Sequence, residues 1–411
     1  MTESTFFNDI WQKKPHLFRD SLSSDTTSKD MGWNTLLDLL EYSSFRGPET
    51  FFAEPPLVLR HSDQVSYEHL EHLYGQDLFA CFLDGCSCLQ NHADLLSPTL
   101  AKICLDFEET FPNVYGNTYL TPPNSQAFRP HADDRDVFVL QLWGQKDWKV
   151  YERVPIPYPY APEQVGKDGL EVPPQVLEGP KCIEATLSKG DVLYIPRGYV
   201  HEASCSTDDM SFHVTIAIPT FDWTTAGMMA QATQSILHQD PELRQAILPL
   251  NGMSQEEQRQ HVQSRIDRAM ETLKEQVTVD ALLNNLGARS ERHKERSTAL
   301  RQDQIMLGPE RSTPSIDLTT KVQWSDDNTS NNSDDKSLAP LVIRPETREV
   351  LGTIRQRMKE QPGGACAIAE LRSLVDDGGN GKSTGMDMIC DLTLMSFARQ
   401  CIKRGQMKVV E

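Results

Sequence analysis

The chain has 411 residues, which is longer than one typical domain and predicts two or three. Hydrophobic residues make up 38% of it and the mean hydropathy is −0.48, so we expect packed cores, while no apolar run is long enough to span a bilayer. The net charge of −19 argues against broad contact with nucleic-acid phosphates; it favours basic partners or merely keeps the chain soluble.

Cysteine usage and the N-terminus both indicate an intracellular protein. The 9 cysteines are an odd number at irregular spacing without a zinc-type pair, which predicts free thiols in a reducing compartment. The first twenty residues have no continuous apolar core and no cleavage pattern, so no secretory signal is expected. The basic cluster RSERHKER at 289–296 is interpreted as a solvated helix end, which leaves the nucleus, nucleolus and cytoplasm all open.

Helices are predicted at the N-terminus. The segment 7–11 precedes Lys13-Lys14-Pro15, and the proline should end that helix because it cannot continue one. Apolar residues over 34–45 recur at helical spacing.

Short strands are predicted between about 115 and 220. The apolar runs lie at 137–143, 148–151, 191–195 and 212–218. The turn Gly144-Gln145-Lys146 predicts that the first two of these strands form a hairpin. Several short strands separated by Gly and Pro turns are typical of a double-sheet jelly roll or cupin.

Residues 222–290 have a helical pattern. Ser254 and Glu257 match a capping box. Apolar residues then recur at helical spacing at Val262, Ile266, Ala269, Met270 and Leu273. This region predicts a helical domain whose apolar face packs on the core or on a second subunit.

The last third of the chain predicts a linker and a small domain. Residues 300–338, with SDDNTSNNSDDKS at 325–337, predict a polar, partly disordered linker. A strand at 341–343, helices near 346–360, 365–374 and 384–404, and a strand at 406–410 are compatible with a winged helix. A structural or protein-contact role is favoured there, because few basic residues lie on its last helix and strand.

Two distant stretches predict a metal centre. His131 and Asp133 are two residues apart and point to one face if the chain is extended there. His201 follows another predicted strand within GDVLYIPRGYVH. Two imidazoles and one carboxylate are the ligands of a non-haem Fe(II) site, which leaves one face of the ion open. We therefore expect iron bound by His131, Asp133 and His201.

Further residues predict a co-substrate site. Lys146 would normally be solvated near a turn, but inside a barrel it would pair with the distal carboxylate of 2-oxoglutarate. Asn117 and Tyr119, on the strand before the first ligands, could add hydrogen bonds. His213 is a further candidate, although a lone histidine in a strand is more often a satisfied core residue.

Three segments carry a resemblance to a known family. FFNDIWQKKP, GNTYLTPPNSQAFRPHADDRDVFVLQLWGQKDWKVY and GDVLYIPRGYVHEA resemble the JmjC-type ribosomal oxygenases, most strongly over about 110–220. The resemblance implies an α+β chain with a double-stranded β-helix (jelly-roll, cupin) JmjC barrel, a helical dimerisation domain and a C-terminal winged-helix-like domain. On this chain those parts correspond to 1–221, 222–299, the linker 300–338, and 339–411.

The resemblance also implies an activity. It implies an Fe(II)- and 2-oxoglutarate-dependent dioxygenase that hydroxylates a histidine or arginine of a basic ribosomal protein. It places the iron on His131, Asp133 and His201, and 2-oxoglutarate on Lys146 with Asn117, Tyr119 and His213 nearby. It further implies a homodimer. The acidic net charge argues against direct nucleic-acid binding, and the hydropathy argues against a membrane protein.

Two other functions stay open from the sequence. A JmjC lysine demethylase of histone tails would use the same iron chemistry. A non-catalytic cupin scaffold or winged-helix nucleic-acid binder is the alternative of another class, but the intact ligand set and Lys146 argue against it.

Overall fold

The computed structural model describes most of the N-terminal two thirds of the chain and parts of the remainder. The described ranges are 3–22, 57–60, 63–64, 85–167, 169–205, 210–246, 252–307, 316, 319–325, 345–360, 364–374, 394–395, 397–398, 401–402 and 406–410. Within them, no helix is both long and apolar enough to cross a membrane. No disulfide joins the cysteines within these ranges.

Within the described ranges, antiparallel strands form three sheets. In chain order the strands are β1 His16–Phe18, β2 Leu57–Arg60, β3 Asp63–Gln64, β4 Ser87–Gln90, β5 Tyr115–Thr121, β6 Asp136–Trp143, β7 Gln145–Tyr151, β8 Lys181–Ser188, β9 Val192–Ile195, β10 His201–Ser204, β11 Ser211–Ile218, β12 Lys321–Trp324, β13 Cys366–Ala367 and β14 Met407–Val410. The major sheet has the order β1-β9-β6-β11-β5-β4-β2-β3, and the minor sheet has the order β10-β7-β8.

Strand β6 is buried on both faces, which explains its continuous apolar sequence. Val137 and Val139 pack with Trp148 and Val150 of the minor sheet, in the core between the two sheets. Side chains on the opposite face of β6, such as Phe138, pack in the core that the major sheet shares with the helices. The two faces follow from the alternation of side chains along a strand.

The predicted hairpin between β6 and β7 is wrong. Strand β6 pairs with β9 and β11, whereas β7 pairs with β8 and β10 of the other sheet. Gly144 lies between the strands at φ +60° and approaches the backbone oxygen of Met210 so closely that a Cβ would clash with it. The glycine therefore lets the chain pass from one sheet to the other.

Helices surround the sheets. In chain order they are α1 Glu3–Asp9, α2 Pro98–Glu108, α3 Pro174–Leu177, α4 Thr225–Leu237, α5 Gln255–Gln276, α6 Val279–Leu307 and α7 Pro345–Glu360. Short 3₁₀ helices lie at Ala93–Leu95, Ala161–Glu163, Thr220–Trp223 and Ile368–Leu374. The predicted capping box at the start of α5 is present, because the side chains of Ser254 and Glu257 each accept from the other's backbone N–H.

A buried ion cluster joins α6 to the barrel. The side chain of Arg301 is only 2% exposed. Its Nε donates to Oδ2 of Asp94 at 3.0 Å, and its Nη1 lies 2.8 Å from Oε1 of Glu108. Arg301 also donates to the carbonyl oxygen of Val114 at the entry to β5. Because both carboxylates are buried as well, the helix is held at a fixed position on the barrel.

The C-terminal region differs from its prediction in two places. Helix α6 continues to Leu307 and β12 is the central strand of a sheet with β13 and β14, so parts of the predicted linker are ordered. Residues 366–374 form a short strand and a 3₁₀ helix instead of an α-helix. The predicted features at 34–45 and 341–343 lie outside the described residues, as does the polar segment 325–337 except for its first residue, Ser325.

Candidate metal centre

The three predicted metal ligands lie together. Nε2 of His131 is 3.9 Å from Oδ1 of Asp133, and Nε2 of His201 is 3.6 Å from Oδ2 of the same carboxylate. One ligand atom from each of the three residues can be chosen so that all lie within 4.8 Å of one another. Two atoms that each bind an ion at about 2.1 Å are at most about 4.2 Å apart, so the two histidine–aspartate separations suit a shared ion.

Backbone pairing brings the two histidines together. His131 and His201 exchange N–H···O bonds of 3.1 and 2.9 Å, forming an isolated antiparallel bridge. His201 begins β10, whereas His131 and Asp133 lie in irregular chain before β6. The predicted extended strand at the first two ligands is therefore only a single bridge.

Both imidazoles are held by backbone carbonyls. Nδ1 of His131 lies 2.8 Å from the oxygen of Arg129, and Nδ1 of His201 lies 3.0 Å from the oxygen of Tyr199. A carbonyl accepts only from a protonated Nδ1, so in each neutral ring the lone pair is on Nε2. This tautomer directs both Nε2 atoms at Asp133 and suits metal binding.

The charge states of the three residues also suit a cation. Burial lowers the pKa of His131 to about 3, and burial lowers the pKa of His201 as well. Burial alone would raise the pKa of Asp133, but Lys167 and the two histidines lower it well below its ordinary value. At neutral pH the set is two neutral imidazoles and one carboxylate, which is the state that binds a divalent metal.

Lys167 is a neighbour of the site that sequence reasoning missed. Its ammonium group donates to Oδ1 of Asp133 and to Oε1 of Gln164, the latter at 3.2 Å. The preceding Gly166 has φ +82° and packs against Pro130 and His131. The only sequence signal was a lysine close to glycines in a loop, which is not specific.

The ligands open into a cavity of about 90 Å³ between the two sheets. Side-chain alternation explains its lining: Lys146 and Trp148 point inward from β7, His213 and Thr215 from β11, and Tyr119 from β5. Lys146 is 2% exposed, and its Nζ donates to Oγ1 of Thr121 at 2.8 Å. Burial lowers the pKa of Lys146 to about 8.

Tyr119 and His213 form one wall of the cavity. Their rings are stacked with centroids 4.7 Å apart and an angle of 4° between planes. Nδ1 of His213 is buried without a hydrogen-bond partner. Burial and then Lys146 lower the pKa of His213 well below its ordinary value, so the ring is neutral.

Asn117 differs from the other predicted residues because it does not line the cavity. Its side-chain oxygen accepts from the backbone N–H of His92 at 3.0 Å. Burial and the Asp133 carboxylate raise the pKa of Tyr119, and a hydrogen bond with the Asn117 side chain opposes that rise. Asn117 therefore contacts Tyr119 from outside the cavity.

The part of the chain that contains the candidate metal centre matches a known protein family. Residues 93–224 match the family model of the JmjC domain. This segment is therefore similar to JmjC domains. The matched JmjC segment contains both sequence regions of the metal ligands, Lys146 and the cavity-lining strands β5, β6, β7 and β11. The fold is accordingly α+β and of the JmjC (cupin) type.

Several known proteins are similar to this chain. "Ribosomal oxygenase 1" of Danio rerio is 27% identical over 69% of this chain and 52% of its own length. "Bifunctional lysine-specific demethylase and histidyl-hydroxylase NO66" of Drosophila mojavensis is 29% identical over 53% of this chain and 24% of its own length. The chain thus spans about half of the first relative and about a quarter of the second.

A solved structure covers the chain from end to end. It is YcfD, a ribosomal oxygenase of Escherichia coli, in complex with cobalt and 2-oxoglutarate. The match covers 100% of this chain and 99% of that one, at 15% identity and a TM-score of 0.43.

Proposed function

We propose that the chain is an Fe(II)- and 2-oxoglutarate-dependent protein hydroxylase acting on a histidine or arginine of a basic ribosomal protein. One observation carries the proposal. Three ligand atoms of His131, Asp133 and His201 converge on a cavity that also contains the buried Lys146. The names of the two relatives support the substrate class.

In this proposal His131, Asp133 and His201 hold the iron, and Lys146 binds the distal carboxylate of 2-oxoglutarate. Lys146 already donates to Thr121, so both side chains are placed to bind the same carboxylate. A charge-assisted contact of this kind contributes about 1.5–3 kcal/mol. Tyr119 and His213 close the wall beside it.

The bound metal and co-substrate supply the oxidising chemistry: dioxygen is reduced, 2-oxoglutarate becomes succinate and carbon dioxide, and one oxygen atom enters a substrate C–H bond. The residues of this chain orient the co-substrate and keep the ligands in their binding protonation state. The net charge of −19 attracts a basic substrate protein to the enzyme.

Mass spectrometry tests this proposal. Basic ribosomal-protein peptides are incubated with the purified protein, Fe(II), 2-oxoglutarate and air. We expect a gain of one oxygen on a histidine or arginine, absent in His131→Ala and retained in His238→Ala, a histidine exposed to solvent. Absence of both the gain and 2-oxoglutarate consumption would overturn the proposal.

Lysine demethylation is a second candidate because one of the two relatives carries it in its name. The same iron site would then hydroxylate an N-methyl group, which leaves as formaldehyde. Incubation with methyl-lysine histone peptides separates the two reactions. Formaldehyde release without oxygen retained on ribosomal peptides would favour the demethylase.

We also propose a homodimer formed through the helical region. Four apolar side chains of α5 and α6 are exposed, namely Ile266, Met270, Val279 and Leu283. Their exposed fractions lie between 49% and 73%, which is costly for a monomer. Light scattering should show a dimer that Met270→Glu dissociates, while Gln263→Glu on the same helix has no effect.

The predicted domain division remains part of this proposal. A JmjC domain would be followed by the helical domain from residue 222. The last part, with β12, β13, β14 and α7, would form the winged-helix-like domain. Limited proteolysis would test whether these parts resist cleavage as separate units.

A further inference from the structure

A basic face on α6 is not used by the proposed active site. Arg289, Arg292, His293 and Arg296 recur at i, i+3, i+4 and i+7, so they share one face of the helix. Arg292 and Arg296 are exposed, and neither forms an ion pair within the described part of the chain. Like charges three and four residues apart destabilise a helix, so this arrangement calls for a ligand of opposite charge.

These four side chains line an open cavity of about 420 Å³ against α4, hereafter the arginine groove. Its other lining residues are Gln231, Ser235 and Asn285, all of which can donate hydrogen bonds. None of the described residues lining it is acidic or apolar. In a chain with a net charge of −19, such a composition points to an anionic ligand.

Contacts with the barrel fix one of the guanidinium groups in advance. Arg289 donates to the carbonyl oxygen of Asp222 at 2.8 Å, and its guanidinium lies 4.6 Å from the centre of the Trp223 ring. Burial lowers the pKa of His293, and so does the charge of Arg289. Arg292 and Arg296 also lower this pKa, whereas Asp222 raises it. Asp222 pairs with Arg289, its Oδ2 lying 3.7 Å from Nη2, whereas Arg292 and Arg296 form no ion pair among the described residues.

A second cavity of about 570 Å³ continues the groove, because His293 and Arg296 line both. It adds the aromatic side chains of His92, Tyr115 and Phe221. It also adds the carboxylates of Asp94 and Asp222, which are paired with Arg301 and Arg289. Guanidinium groups match phosphate geometry, and aromatic rings stack on bases. The basic row extends over two helical turns, about 10 Å of helix axis, which suits a row of phosphates better than a single anion.

We propose that the arginine groove binds the phosphate backbone of a single-stranded nucleic acid, with bases entering the adjoining aromatic cavity. An acidic polypeptide would satisfy the arginines but would leave the aromatic cavity unused. The net charge of −19 had argued against contact with nucleic-acid phosphates. A net charge averages over the whole surface, so it does not reveal arginines that cluster on one face of one helix.

Fluorescence anisotropy with a labelled 12-nucleotide oligouridylate RNA tests the proposal on the full chain. We expect binding that weakens with salt. The double variant Arg292→Gln/Arg296→Gln should lose at least tenfold in affinity, and two lost phosphate contacts should reduce the salt slope by about 1.4. The matched control is Lys274→Gln/Lys294→Gln, which removes two exposed lysines outside the groove.

Several outcomes would overturn the proposal. The proposal fails if the RNA does not bind at low salt, or if both double variants lose the same RNA affinity. It also fails if polyglutamate competes with the RNA as effectively as unlabelled RNA at the same charge concentration. The melting temperature of the arginine variant should not fall, because like-charge repulsion is removed. Its 2-oxoglutarate turnover should be unchanged, so failure here is distinguishable from failure of the proposed hydroxylase.

Discussion

A Cβ on Gly166 would stand 2.7 Å from the Cα of His131 and 2.8 Å from its Cβ. It would also overlap the backbone oxygen of Pro130. Real Cβ atoms do not approach backbone this closely, so a larger residue at 166 requires a shift of its own loop or of His131, the first candidate metal ligand. We therefore expect Gly166 to be a positioning residue for the candidate metal centre.

Gly166→Ala should weaken metal binding at least tenfold, because His131 is displaced from the other two ligands. Isothermal titration with Mn²⁺ measures this. Gly169→Ala is the matched control: it lies in the same loop at φ +84°, close to the φ of Gly166, but a Cβ there meets nothing within 4 Å. Both variants carry the strain of positive φ. Equal metal affinity in the two would contradict the steric explanation.

Lys146 should make 2-oxoglutarate use depend on pH. Its pKa of about 8 lies below the ordinary value, so the ammonium is present below that pH and is lost above it. The kcat/KM for 2-oxoglutarate should therefore fall as pH rises through about 8. In Lys146→Arg this fall should disappear, because arginine stays charged. Lys149→Arg, a solvent-facing lysine on the same strand, should keep the wild-type profile.

Lys167 should oppose metal binding, because its ammonium already contacts the Asp133 carboxylate. Repulsion between this charge and a divalent ion is on the order of 1 kcal/mol even in a watery environment. We expect Lys167→Met to bind Co²⁺ about fivefold more tightly, a factor worth roughly 1 kcal/mol. Lys149→Met serves as control. Weaker binding in Lys167→Met would mean that the lysine holds Asp133 in place instead.

Arg301→Leu should destabilise the protein by about 3–5 kcal/mol, because Asp94 and Glu108 are left buried without their cation. Urea unfolding followed by circular dichroism measures the change. Arg259→Leu removes an exposed arginine of α5 and should cost little. If the two variants unfold alike, the buried cluster does not stabilise the fold.

Local patterns in the sequence were enough to predict much of the site. Lys146 lies near a predicted turn and was expected inside the barrel only because of the candidate metal ligands, while the resemblance implied His213 nearby. Both residues line the cavity in the structure. The pairing of β6 with β9 and β11 was not predictable from the Gly144 turn, because it depends on partners far along the chain.

Contacts made by distant parts of the chain could not be predicted from the sequence either. Asn117 lies two residues before Tyr119 on β5, so alternation predicts the same face for both side chains. The side-chain oxygen of Asn117 instead accepts a hydrogen bond from the backbone N–H of His92, and spacing along one strand cannot reveal that contact. Lys167 reaches Asp133 from a loop whose own sequence gives no indication of where it folds. Side chains set by a strand were therefore predictable, and those set by loop packing were not.

The reciprocal backbone bonds between His131 and His201 have a kinetic consequence. They close a loop of ~70 residues, and such a closure is entropically costly early in folding. The metal site should thus be completed only when the barrel closes, so added metal should slow unfolding and leave the folding rate unchanged. Trp148, whose ring lies 6.1 Å from that of His201, is an intrinsic fluorophore that would report this closure through quenching by Co²⁺.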